Sequence, residues 1–381
     1  MATSKLIFTR YLYNKDEVKL ALFVAILKKQ EQKSLFWAYE LYYSGFEAEL
    51  FDFLQKIYMD CFYTLNPAFH KYFQKKLREW TETRLETVPA AIIKNMVIRP
   101  CTLDFLLLKH ITSHFEIELE LDEEKEKELD EEDINKNSFL TAWLQEKKYL
   151  FIAEYVLNRC KTTEKTLHTI ISYFKEKGIV SSEKFLKKDN KLSQNDITLL
   201  TTMLLFSMQE NKVVNKKVYI TVKEEQIKRF QTLRVHDGLK NYKLLRKVYE
   251  YGIDEDNYLS LFSSKRDDQL RENFFYNWEY YASFSPIWAS RIQEYGGEIN
   301  HETKKVIFDE GEDDEHQQQC EDFYLHFNYE PDEQSLEIQN KSIQPIVCKR
   351  TWRDFYEEYK DTGIFEPDLE FLEEFDRMEY I

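Results

Sequence analysis

The sequence predicts a mainly α-helical protein: a helical bundle or short α-solenoid, with a small β-hairpin and an acidic, partly disordered C-terminal tail. Three observations carry this. Apolar residues recur at helical spacing along most of the chain. Glycine (8) and proline (7) are scarce in 381 residues, about a third of the roughly 7% and 5% of average usage. Charge is segmented: 116–133 holds 12 acidic residues and 2 lysines, 134–250 carries 23 basic and 12 acidic residues, and 309–381 carries 23 acidic and 6 basic, within a formal total of −16.

The first helix is read from Val18, Ala21, Leu22, Ala25 and Ile26, at i, i+3, i+4, i+7 and i+8. The second is "SLFWAYELYYSGF", from a Ser34 N-cap to Gly45 at the C′ position. Its six aromatics ring the helix with a single charge, Glu40, so it is read as core and not as a binding face. Leu50, Phe53, Leu54, Ile57, Tyr58 and Cys61 stripe the third helix. Asn66-Pro67 opens a fourth, carrying Phe69, Tyr72, Phe73, Leu77 and Trp80. Pro89 and Pro100 punctuate two further helical stretches. Helical patterns resume in "FLTAWLQEKKYLFIAEYVL", "TLHTIISYFKEKG" and "NDITLLTTMLLFSM". "KKVYITV" alternates around Val218, Ile220 and Val222 and is read as a short strand; "GGEINHETKKVIF" is read as a hairpin. The resulting division is an N-terminal bundle (1–115), an acidic linker (116–137), a basic helical domain (138–308, hairpin at 296–308) and an acidic, aromatic-containing tail (309–381).

Several chemistries find no support. The five cysteines are odd in number, scattered and without a CxxC, which argues against a disulfide framework or cysteine zinc site. There is no GxGxxG, GK[ST] or GxSxG, so no catalytic residue and no cofactor is assigned. His110 and His114 stand at i, i+4 with Glu116 and Glu118 nearby, but Ile111 replaces the glutamate of a zinc-protease helix and no metal site is assigned. The longest early apolar run, Leu20 to Leu27, is far short of the ~20 residues that span a bilayer. A soluble, intracellular protein that does not engage membranes is expected.

Two segments are candidate binding elements. Arg229, Arg234, Lys240, Lys243, Arg246 and Lys247 are interleaved with Tyr242, cations and a stacking ring suited to nucleic acid. The competing reading is a solvated helix face that balances the acidic segments. In the tail, Tyr359, Ile364 and Phe365 ("YKDTGIF") approximate the Tyr-x4-Leu-Φ helix by which partners dock on the cap-binding translation initiation factor. Ile364 replaces the leucine, and Gly363 disfavours the helix.

The blocks "SLFWAYELYYSGFEAELFDFLQKIYMDCF", "SPIWASRIQEYGGEINHETKKVIF" and "WRDFYEEYKD" resemble a family of uncharacterised proteins encoded by large DNA viruses of protists, the mimivirus-like group. The resemblance covers about a sixth of the chain. It implies a viral origin and a place in the host cytoplasm or viral factory, and brings no catalytic residues. The helix order around the first block is also similar, in packing style, to the helical collar of clamp-loader-type ATPases. The expected function is a non-enzymatic helical scaffold or adaptor in a virus-encoded complex. Its most concrete version is an analogue of the scaffold subunit of the cap-binding translation initiation complex, with RNA affinity and protein partners. The alternatives are a nucleic-acid-binding replication or transcription factor and a virion structural component.

Overall fold

A computed structural model describes residues 7–13, 15–119, 138–180, 191–214, 218–231, 277–308, 314–327 and 350–378. These residues are mainly helical, with one two-stranded antiparallel hairpin.

Six helices open the chain: α1 (Lys15–Leu27), α2 (Glu31–Tyr42), α3 (Glu47–Cys61), α4 (Phe69–Thr83), α5 (Thr87–Val97) and α6 (Asp104–His114). Their joints are short because the ends are capped by backbone. Lys29, at φ 58°, ends α1, with Gln30 N–H bonding Ala25 O and Lys29 N–H bonding Ile26 O. Gly45 does the same for α2 at φ 88°, as its C′ position requires; a Cβ there would also lie 2.6 Å from Pro286 Cβ. Ser34 is not the N-cap of α2. The helix starts a turn earlier, and the buried Ser34 hydroxyl donates to Gln30 O at 3.0 Å. The helix α4 starts after, not at, Pro67, because the Asn66 side chain is spent on Phe62 O and Pro100 O.

Beyond the acidic run come α7 (Ser138–Glu146), α8 (Tyr149–Glu154), a π turn (Tyr155–Arg159), α9 (Thr163–Glu176) and α10 (Gln194–Gln209), the last opened by a Ser193–Asp196 capping box. The described part of the expected strand, residues 218–222, is not in a sheet. It is extended because the Asn95 amide pairs with Ile220 like a neighbouring strand, donating to its C=O and accepting its N–H, both at 2.9 Å. Tyr219 then stacks on Tyr72 at 4.1 Å.

A single apolar core runs from Tyr13 through α1–α10 to Phe375. Described residues on both sides of the acidic run, from Phe139 to Val180, from Leu192 to Val213 and from Tyr219 to Phe230, share it, so that run does not divide these described residues into two cores. A second, smaller core gathers Phe8, Leu12, Trp278, Trp288, Ile292, Phe308 and Phe323. It contains α11 (Pro286–Glu294), β1 (Gly297–Asn300), β2 (Lys305–Phe308) and part of α12 (Asp314–Phe327), with Gly297 paired to Phe308 and Asn300 to Lys305. The expected hairpin is therefore present, but it belongs with this second core.

Residues 7–13 tie the two cores together. Arg10 and Glu40 form a buried ion pair at 3.1 Å. The guanidinium also donates to Phe230 O at 2.6 Å and lies between the rings of Tyr11 and Tyr43. Burial pushes the Glu40 carboxyl up, opposed first by the charge of Arg10. From the other core, Trp288 Nε1 donates to Thr9 O and Arg291 to Arg10 O.

Part of the tail is helical and docked: α13 (Trp352–Tyr359), with a Thr351–Asp354 capping box, and α14 (Leu369–Met378). Trp352, Phe355, Leu372 and Phe375 are buried in the first core, while Asp354, Glu357, Glu358, Glu373 and Glu374 stay exposed. Charge on one face and aromatics on the other allow a segment this acidic to pack. Among the described residues, no helix is long and apolar enough to cross a membrane.

Candidate nucleic-acid interface

Of the seven sequence-derived nucleic-acid candidates, only Arg229 lies within the described residues; Arg234, Lys240, Tyr242, Lys243, Arg246 and Lys247 lie outside them. Arg229 is exposed, its guanidinium 4.7 Å from the Phe230 ring centre. Phe230 itself is core, stacked on Tyr39 at 5.3 Å. The described start of the basic stretch is thus held at a fixed point on the body of the protein.

That point lies beside the C-terminal end of α4. The Glu86 carboxylate accepts from Gln231 Nε2 at 2.5 Å and from Tyr43 OH at 2.8 Å. Two residues earlier, the Arg84 guanidinium covers Trp80 at 4.2 Å. Back along α4, Arg78, Lys75 and Lys71 are all exposed. They stand at i, i+4 and i+7, on one face, spaced about 6 and 4.5 Å along the axis at ~1.5 Å per residue. None of the three side chains makes an ion pair or hydrogen bond among the described residues. Several other cations of this acidic chain are paired: Lys15 and Lys19 with Glu49, Lys94 with Glu31, Lys109 with Asp196, Lys76 with Glu79. Exposed Glu82 follows Arg78 by one turn and marks the end of the row.

The next face of α4 borders a cavity. His70, Gln74, Leu77 and Thr81 line it from α4, and Phe51, Asp52 and Gln55 from α3. Its volume is ≈ 470 Å³, inside the roughly 300–1,000 Å³ range of ligand pockets. At its rim Lys191 pairs with Asp52. Phe51 and Trp80, whose rings are 4.3 Å apart where α3 meets α4, also form part of its wall.

The expected partner-docking residues are placed elsewhere and serve the chain itself. Tyr359 ends α13, Lys360–Thr362 form a 3₁₀ turn, and Gly363 is extended, so the three residues do not share a helical face. Phe365 is 7% exposed within the first core. The backbone here is clamped: the Asp104 carboxylate accepts the N–H groups of Ile364 (3.0 Å) and Phe365 (3.2 Å), while Lys212 donates to Gly363 O. Burial pushes the Asp104 carboxyl up, opposed by those N–H donors. Gly363 is needed for close approach, since a Cβ would lie 2.6 Å from Asp104 Oδ1. An amphipathic aromatic motif has the same appearance in sequence whether its groove belongs to another chain or to its own.

The His110–His114 pair is likewise built into packing. The His110 ring lies 4.7 Å from Trp352 and 4.4 Å from Phe375, and burial, with His114 adding, lowers its pKa to about 3. His114 Nδ1 sits 2.8 Å from His110 O. Among the described residues, no group of three or more His, Cys, Asp or Glu is placed to hold a metal ion.

Comparison with protein families, curated proteins and solved structures found no match to the chain.

Proposed function

We propose that the chain is a non-enzymatic helical scaffold with affinity for RNA, acting within a multiprotein complex. The family resemblance adds a viral origin for that complex and a location in the host cytoplasm or viral factory. The observation that carries the reading is the row of unpaired cations on α4, Lys71, Lys75 and Arg78, in a protein of formal charge −16. A cation left without a carboxylate in such a chain is free to meet a phosphate. The row leads toward Arg84 and Arg229, where the basic stretch of the sequence begins.

The scaffold part draws on the continuous helical body, which offers broad, rigid surfaces. In its most concrete form, the analogue of the cap-binding complex scaffold, the helical body and the RNA contact keep their support. The docking peptide does not, because Tyr359, Ile364 and Phe365 pack on their own chain. A cap-binding factor is then a partner only for a chain whose last helices have left the core.

The test is fluorescence anisotropy of the full chain with a labelled single-stranded RNA. Three neutralised phosphates at a slope of ~0.7 each give a loss of about twentyfold between about 50 and 200 mM salt. Absence of binding at the lower salt would refute the RNA reading.

A further inference from the structure

Resting on the RNA-binding reading above, we infer that the cavity between α3 and α4 is a nucleobase pocket, filled by an unpaired base whose phosphates lie on Lys71, Lys75 and Arg78. The argument begins with register. Positions 70, 74, 77 and 81 face the cavity. The cation positions 71, 75 and 78 each follow a cavity position by one residue, about 100° round the helix. The cation row therefore runs along the neighbouring face of the same helix, about a quarter-turn from the cavity. A phosphodiester held by the row presents its sugar and base to the cavity mouth.

The lining selects the class of occupant. Among the described residues its full charges are Asp52 and Lys191, which are paired with each other at the rim. The rest is a mixture of side-chain amides (Gln55, Gln74), an imidazole (His70) and apolar surface (Phe51, Leu77). Among the described residues, a carboxylate or a bare phosphate inside would meet no unpaired cation, and an acyl chain would bury the Gln74 amide without a partner. A neutral, planar group with several donors and acceptors satisfies both kinds of wall, and a nucleobase is such a group. Gln74 is the reader: its amide makes no hydrogen bond among the described residues and can offer a donor and an acceptor together, the pairing that side-chain amides make with base edges.

The pocket implies a preference for single strands. In a duplex the bases are stacked and paired, so a duplex can use the cation row but not the cavity. A free nucleoside monophosphate carries the same chemistry without a strand.

The test compares the full chain with Gln74→Leu and with the triple variant Lys71→Ala/Lys75→Ala/Arg78→Ala, thermal melting confirming that both are folded. The probes are a short single-stranded RNA, its duplex and the same strand with abasic sites. Gln74→Leu should weaken the single strand about five- to tenfold and leave the duplex unchanged. The triple variant should weaken both and lower the salt slope by about 2. Wild type should bind the abasic strand at least about fivefold more weakly than the intact one. Displacement of the strand by a nucleoside monophosphate supports the pocket and identifies the base as sufficient. The inference is overturned if RNA binds but neither Gln74→Leu nor base removal matters, or if only neutralising the cations of 229–247 reduces binding. In both cases the RNA reading survives. Absence of binding to any probe at low salt removes both.

Discussion

Replacing His110 with phenylalanine should make the protein less sensitive to acid. The His110 ring sits against Trp352 and Phe375, the aromatic anchors by which the two last helices dock on α6. Burial, with a smaller contribution from His114, lowers its pKa to about 3, against ~6.5 in an unfolded chain. A lowered histidine pKa means that the folded state favours the neutral ring. Its contribution is therefore complete above ~6.5 and is lost as pH falls from there toward 3, because the unfolded chain takes up a proton that the folded one resists. Well inside that window each pH unit costs ~1.4 kcal/mol, so between about pH 6.5 and 4.5 this residue alone removes ~2.3 kcal/mol. Asp376 lies close by, accepting the Trp352 N–H at 3.2 Å, with its carboxyl raised to about 6 by burial and then by Asp354 and Glu373. That group acts in the opposite sense, gaining stability as it protonates, but it is common to both proteins and drops out of their difference. Urea unfolding of wild type and His110→Phe at about pH 7 and about pH 4.5 measures the effect. Wild type should lose about 2–3 kcal/mol more than the variant. Equal losses would show that His110 is not held neutral by the docked helices, and that the account of how they pack on α6 is wrong.

Two further expectations concern the frame. Gly363→Ala brings a Cβ within 2.6 Å of Asp104 Oδ1 and 3.3 Å of Lys360 O, and should cost ~1–3 kcal/mol in thermal or chemical melting; an unchanged midpoint would mean that the Asp104 clamp is loose. Arg10→Met leaves the buried Glu40 carboxylate without its cation and should cost ~3–5 kcal/mol, a large part of which returns in the Arg10→Met/Glu40→Leu double variant. A single variant as stable as wild type would contradict burial of the pair.

The helices were legible because their cause is local. Apolar residues at i, i+3, i+4 need only a neighbouring surface to bury, and Gly45 could be read as a helix end because few other residues tolerate its φ. The hairpin was legible for the same reason, from a Gly-Gly pair and an alternating run. What escaped the sequence was set by residues far away. Residues 218–222 carry strand chemistry, but their backbone partner is a side chain, Asn95. The tail was read as a segment awaiting a partner because its net charge is conspicuous. The helical spacing of Trp352, Phe355 and Tyr356, and of Leu372 and Phe375, was visible but could not reveal that the receiving groove is made by α1 and α6. The row Lys71, Lys75 and Arg78 also stood at helical spacing. It was passed over because the apolar stripe of the same helix gave the stronger signal, and because a cation's lack of a carboxylate is a property of the folded surface.

The N-terminal segment also sets a problem of timing. Trp288 Nε1 bonds Thr9 O across 279 residues of chain. During synthesis at ~5–20 residues per second, that separation is a wait on the order of 15–55 s. Throughout it, Phe8 and Leu12 have left the ribosome without the rings that will cover them. Phe8 and Leu12 are thus made long before they can settle, and the nascent chain carries an uncovered apolar segment until the residues around Trp288 emerge.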